Sequence, residues 1–424
     1  MLGISFFWLA LSMLFDGMNT LVLPNQLSGL VGEGRQATLL GLLTFFGLLT
    51  GMLVQPLAGT ISDQTRVRWG RSGIIGIGLV FSLVSLAIFG MSRSLAGAIL
   101  GYLVIQVAAS IAQAGQQGFI PDLVSPRQRG VASGWKGFMD IGGAMLGFVV
   151  LGQLLGNGQT DLALAAMGFT LVAAFLVTVA LVKEDRKAAS VAQNGKAGSR
   201  RSNPLADAFR LDLRQHWPFA WLVLSRFLFL LGTYAVGRFL LYFVADRLGL
   251  ESNQAVEQAG NLLALLALIA ILAAPPAGWA ADRLGRMPLM VAGTVLSASG
   301  TLLLTVASTQ VQILLFGSLM SLGSAAFASA NWAMTADLSP PSESARFFGL
   351  ANFGTAGAAA AAGLFGILVD GANRLVPGSG YPALFLAATL ASLASALALL
   401  AVKRSRATFP YPPLPEEAHH SSAP

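Results

Sequence analysis

Asp16, Asp140, Arg226 and Arg238 each interrupt a long apolar run of the chain. A charge at the centre of a hydrocarbon layer costs about 3 kcal/mol on insertion scales, so each marks a position where chemistry is expected. Carboxylates and guanidiniums at such a depth can form ion pairs, carry protons or hold a polar solute. At about 1.5 Å of rise per residue, Asp16, Asp140 and Arg226 share one depth, about 10–12 residues from the same side of the layer. Arg226 is expected to pair with Asp140 or Asp16, leaving the spare carboxylate to carry a proton. A static ion pair that cements helices is the alternative. Arg238 is expected near the opposite headgroups, snorkelling or meeting Asp246.

Uncharged polar residues add a second pattern. Gln106, Ser110, Gln113 and Gln117 are spaced 4, 3 and 4 apart and form one stripe on a helix. Facing lipid such a stripe is costly, so it is expected to line a cavity. Asn19 accompanies Asp16, and Ser321, Ser324, Asn331, Trp332 and Thr355 lie in corresponding parts of the second half of the chain. Amides, hydroxyls and an aromatic platform suit a polyhydroxylated ligand. They suit helix–helix hydrogen bonds equally well.

The elements that must position these residues are membrane helices. The chain has 424 residues, 55% hydrophobic and 11% charged, with 48 glycines and a mean hydropathy of +0.69. Soluble domains carry about 25% charged residues. An all-α polytopic membrane protein follows. Twelve spans are expected, at 4–24, 37–61, 73–91, 95–119, 131–155, 161–183, 217–243, 255–279, 288–307, 310–334, 347–369 and 381–402. The first lacks a basic n-region and reads as a retained helix. The absence of cysteine excludes disulfides and thiolate chemistry, and the only histidines, His216, His419 and His420, lie in polar segments. Neither a cofactor nor a metal is expected, nor an enzyme.

Twenty of the 26 basic residues fall on one side of the spans and four on the other, with Arg226 and Arg238 inside span 7. The basic side is expected to be cytoplasmic, with both termini there, in an inner or plasma membrane. The net charge of +7 is thus a topology signal, and no nucleic-acid partner is expected. Residues 184–215 are rich in charge, Ser, Gly and Ala and read as a linker. The end of that stretch is either a short interfacial helix or unstructured chain. The expected organisation is a six-helix bundle over 1–183, the linker, a second bundle over 216–404 and a disordered tail over 405–424.

The two bundles repeat one another. Pro56, Gly59 and Asp63 answer Pro275, Gly278 and Asp282 at an offset of 219. The first copy then has four extra residues, after which Gly70 and Arg71 answer Gly285 and Arg286 at an offset of 215. Asp122, Pro126 and Gly134 answer Asp337, Pro341 and Gly349 at the same offset, which also pairs Gln116 with Asn331 and Asp140 with Thr355. A parallel repeat of six spans is a transporter signature, with the solute site at mid-depth between the halves.

The loop pattern G-x-x-x-D…G-R resembles the signature of the major facilitator superfamily. Gly59, Asp63, Arg66, Gly70 and Arg71 carry it in the first copy, and Gly278, Asp282, Arg283, Gly285 and Arg286 in the second. The resemblance covers nearly the whole chain. The longer copy, SDQTRVRWGR, is similar to the loop of the glycoside–pentoside–hexuronide cation symporters and sucrose-type carriers. Two departures stand out. Residues 37–61 contain no acid where the cation symporters place some, and GFMDIGGAMLGF has no proline where many drug–proton antiporters have Gly-Pro. The resemblance implies two pseudo-twofold related six-helix bundles with helices 1 and 7 lining a cavity, and loop residues that hold the cytoplasmic side shut. Glycines would allow the tight turns, and Asp63 and Asp282 would accept charge-assisted hydrogen bonds. The implied function is secondary transport of a small polar, sugar-like solute by alternating access, coupled to H+ or Na+. Two other readings stay open: an efflux carrier for amphipathic compounds, and a non-transporting assembly or pigment-delivery factor. The expected partners are the solute, the coupling ion and the lipid bilayer, and the protein is expected to be a monomer.

Overall fold

In hydrocarbon a backbone must satisfy its own hydrogen bonds, so apolar runs of this length fold as helices. The computed structural model describes the backbone at 2–32, 34–124, 129–182, 216–339 and 344–408. Of these residues, the side chains of Leu2 and of 63–68, 120–121, 129–131, 133–134, 344–346 and 403–408 are outside the description. The linker and most of the tail therefore lie outside the described residues.

Among the described residues, twelve helices are long and apolar enough to cross a membrane, as a multi-pass membrane protein requires. In the first half they are α1 (Gly3–Leu30), α2 (Gln36–Ser62), α3 (Trp69–Met91), α4 (Leu95–Gln117), α5 (Trp135–Gly156) and α6 (Thr160–Leu181). In the second they are α7 (Trp217–Leu248), α8 (Ser252–Leu284), α9 (Arg286–Val306), α10 (Gln310–Asp337), α11 (Phe347–Leu375) and α12 (Gly380–Val402).

The sequence repeat survives in the packing. Helix α1 lies on α5 and α6, and α7 lies correspondingly on α11 and α12. The α3–α4 contact recurs as α9–α10 at the level of single atoms. A Cβ on Gly78 would overlap the Ala112 nitrogen and approach the Ala108 carbonyl oxygen. A Cβ on Gly293, 215 residues on, would meet the Phe327 nitrogen and the Gly323 carbonyl oxygen, the equivalent atoms. Small residues let these helix axes come close where hydrophobicity alone supplies no attraction. Between the halves, α2 meets α11 and α5 meets α8.

The signature segment is more helical than its sequence implies. Helix continues from Gln36 through the expected first loop and breaks at Gly70, which has φ of +70°. Gly285, its counterpart, has φ of +89°. These two positions require glycine because L-residues rarely adopt such φ values. Gly59 and Gly278, expected to shape the turns, sit inside helices with open space beside them.

Candidate functional site

Helices α7, α10 and α11 converge on Arg226, which is 6% exposed. Its Nε donates to Thr355 Oγ1 at 2.8 Å and its Nη1 to Asn331 Oδ1 at 2.6 Å. Its guanidinium carbon stands 3.8 Å from the Trp332 ring centroid, within cation–π range. Trp332 stacks in turn on Phe348, with centroids 5.7 Å apart and planes 10° apart. Four residues singled out in the sequence are thus brought into one cluster. The expected partnership of Arg226 with a carboxylate is absent. Trp332 secures the guanidinium and is not a free platform.

The carboxylates are engaged elsewhere. Asp140 receives a hydrogen bond from Lys136 Nζ at 3.1 Å, one helical turn away. A cation at i−4 on the same helix can reach the acid without a partner helix, which explains why Asp140 does not need Arg226. Lys136 Nζ also stands 4.0 Å from the Trp8 ring centroid. Asp16 Oδ2 accepts a hydrogen bond from Ser12 Oγ at 2.7 Å. Asp16 is exposed, although Leu11–Leu14 and Gly17–Asn19 around it are buried. It stands within electrostatic reach of Asp140 and of Arg238 in the other half. Asp16 therefore faces space between the halves.

Arg238 corrects another expectation. It is 7% exposed, its Nη2 donates to the Ala359 carbonyl oxygen at 3.3 Å, and its Nη1 is buried without a partner. Helix α7 runs ten residues beyond it to Leu248, about 15 Å at the helical rise, which is too far for the side chain to reach headgroups. Tyr234, one turn before Arg238, lies within electrostatic reach of Arg226, Asp16, Arg238 and Asp140. The spacing of Arg226, Tyr234 and Arg238 by 8 and 4 puts all three on one helical face, a signal that sequence reading left unused.

The glutamine stripe divides. Gln106 is 1% exposed and its Nε2 donates to Asn19 Oδ1 at 3.2 Å and to Tyr102 Oη at 2.6 Å. Tyr102 itself donates to Asn19 Oδ1 at 2.6 Å. Asn19 lies in a five-residue π-helical turn, Met18–Val22, and its Nδ2 donates to the Phe15 carbonyl oxygen at 2.6 Å. This network ties α1 to α4 within one half. Ser110 is buried, whereas Gln113 is half-buried and Gln117 exposed. Tyr102 was detectable as the residue four before Gln106.

Among the described residues, an arginine of each repeated loop pairs with an aspartate. Arg71, 6% exposed, donates through Nε to Asp122 Oδ2 at 2.9 Å and through Nη1 to Ser62 Oγ at 2.9 Å. Arg286 forms the matching ion pair with Asp337 and also donates to the Ala333 carbonyl oxygen at 2.6 Å. Two separate echoes in the sequence are therefore two ends of one contact. The side chains of Asp63 and Arg66 lie outside the described residues. Asp282 is exposed, and Arg283 stacks on Trp279 with 4.4 Å to the ring centroid.

Among the described residues, every hydrogen bond between the halves lies at the end away from the chain termini. Thr38 N, in the first turn of α2, donates to Asp370 Oδ2 of α11 at 2.6 Å. Asp370 is 4% exposed and caps a helix of the other half. Tyr242 Oη donates to the Pro24 carbonyl oxygen at 3.0 Å, and Gln153 Nε2 to Glu257 Oε1 at 3.2 Å. Glycines complete the seam. A Cβ on Gly41 or Gly366 would overlap backbone of the facing helix, and Gly152 and Gly260 face each other across α5 and α8. The seam joins the halves at that end, and Asp16 and Gln117 are exposed on the other side of it.

The comparisons agree with this architecture. The isoprimeverose transporter of Lactiplantibacillus pentosus is 24% identical over 283 residues, 64% of this chain. The match spans 57% of that relative's length. A bacterial homolog of the human lysosomal transporter Spinster, solved inward-facing and unoccupied, superposes with a TM-score of 0.69 at 16% identity, covering 97% of this chain and 98% of that one. The nucleoside transporter NupG gives a TM-score of 0.68 at 15% identity, covering 97% and 99%. The family model described as MFS/sugar transport protein matches residues 2–402, so the chain belongs to that family of membrane transporters.

Proposed function

We propose that this transporter moves a small, polar, sugar-like solute by alternating access, and that Asp16 couples the movement to a proton or cation. The observation that carries the reading is the position of Asp16, which is exposed at mid-helix between the halves and bonded only to a serine hydroxyl. Asp140 is already neutralised by Lys136, so Asp16 replaces it as the coupling group. The relative's name, an isoprimeverose transporter, supports a sugar-like solute. The solute sits among Asp16, Tyr234, Arg226 and Thr355, with Gln113 and Gln117 along its path.

The excess of basic residues at the terminal end supports a cytoplasmic position for that end, in an inner or plasma membrane. The glycine seam is then the outer gate, and the conformation is open to the inside. Residues 1–183 and 216–404 rock as two units, and the signature loops form the inner gate when the seam parts. Asp282, exposed here, accepts its partner in that outward-open state. Uptake of labelled xylosyl and glucosyl disaccharides into proteoliposomes tests the reading. The expected result is accumulation driven by a proton or sodium gradient and abolished in Asp16→Asn. Equal accumulation by Asp16→Asn overturns the coupling role, and no sugar uptake under any gradient overturns the solute class.

A further inference from the structure

Arg226 is a buried cation held by neutral groups only. Its hydrogen-bond partners are a threonine hydroxyl and an asparagine amide, and the ring beside it is a tryptophan. The ionisable side chain within electrostatic reach of it is Tyr234, not a carboxylate. Inside the spans Arg226 and Arg238 accompany two carboxylates, Asp16 and Asp140, and Lys136 lies in the first turn of α5. Lys136 takes Asp140, and the acid within reach of Arg238 is Asp16. An uncompensated buried charge costs several kcal/mol, so a fold retains one only where something offsets it.

The chain had an acid available for this place. Thr355 is the repeat equivalent of Asp140, so the second half presents a hydroxyl to Arg226 where the first half carries a carboxylate. Two donors in the cluster lack acceptors. Asn331 is fully buried and its Nδ2 has no partner. Among the described residues Arg226 Nη2 has no acceptor, and it is not fully sealed from accessible space. A guanidinium with one edge fixed and one nitrogen free is suited to an incoming group with two oxygens and a negative charge.

We infer that the solute carries an acidic group, a carboxylate or phosphate on a sugar-sized body, which docks on Arg226 and supplies its missing counter-charge. This rests on the sugar-like reading above and narrows it. Charge-assisted hydrogen bonds contribute enough for roughly a tenfold to hundredfold preference for the acid over its neutral analogue.

The test is ligand-induced thermal stabilisation of the purified full-length protein in detergent, with glucuronate, glucose 6-phosphate, glucose and lysophosphatidylglycerol as probes. The expected result is stabilisation by either sugar acid at concentrations at least tenfold below those needed for glucose. Arg226→Gln is expected to erase that preference. Thr355→Asp supplies the internal counter-ion, so it is expected to fold at least as stably as the parent and lose the acid response, which covers the case where Arg226→Gln does not fold. Glucose stabilising as well as the acids overturns the inference and leaves the sugar reading intact. A response to the lysolipid alone keeps the anion site and overturns the sugar reading. No response to any probe overturns both. An undiminished acid response in Thr355→Asp overturns the role of Arg226.

Discussion

The two halves of the transporter share a frame and differ at its centre. In each, a glycine with positive φ precedes an arginine that binds an aspartate from the far end of the next span, Arg71 to Asp122 and Arg286 to Asp337. In each, a glycine of the third span presses on the same backbone atoms of the fourth. Among the polar residues inside the helices the likeness ends. Gln116 donates to the Ile4 carbonyl oxygen at 2.5 Å and Asp140 pairs with Lys136, so both act inside their own half. Their equivalents Asn331 and Thr355 both hold Arg226. The repeat keeps the parts that build a bundle, and the halves differ at these polar positions inside the spans.

The largest expected effect breaks this comparison at its centre. Asp16→Asn is expected to abolish gradient-driven accumulation, while Asp140→Asn keeps it at reduced rate, as measured by counting labelled sugar in proteoliposomes. Next come the paired loops. Arg71→Ala removes one partner of a buried ion pair and is expected to cost about 3–5 kcal/mol. The Arg286 pair is more exposed, with side chains 31% and 21% accessible, so Arg286→Ala is expected to cost about 1 kcal/mol. Thermal melts of the two variants in the same detergent check the difference, and equal losses would remove the burial argument. Gly78→Val and Gly293→Val sharpen the symmetry, since each forces a side chain into backbone and is expected to cost about 1–3 kcal/mol. Unequal melting shifts would show that the equivalence is only geometric. The smallest effect is Gln106→Leu, which cuts Asn19 and Tyr102 from a shared partner for about 1 kcal/mol and leaves transport specificity unchanged.

Most of the frame was legible in the chain because a span needs only length and apolarity, and both are local. The turn glycines Gly70 and Gly285 were legible because the repeat marks them twice. Arg226, Asn331, Trp332 and Thr355 were each identifiable, since polar groups in an apolar run must be accounted for. Their pairing was not. Sequence favoured opposite charge, whereas geometry gave Asp140 a lysine one turn away and gave Arg226 an amide and a hydroxyl. Lys136 and Tyr234 carried readable helical spacings. Asp370 did not, because its partner Thr38 lies 332 residues away and its role depends on how the halves meet.

The seam between the halves has a consequence for how it could open. Bare glycine backbone lies against bare backbone there, and the polar ties are few. Parting it strands a carboxylate, an amide and a handful of neutral groups, all of which water can reclaim at once. Opening this end would therefore leave few groups without a partner.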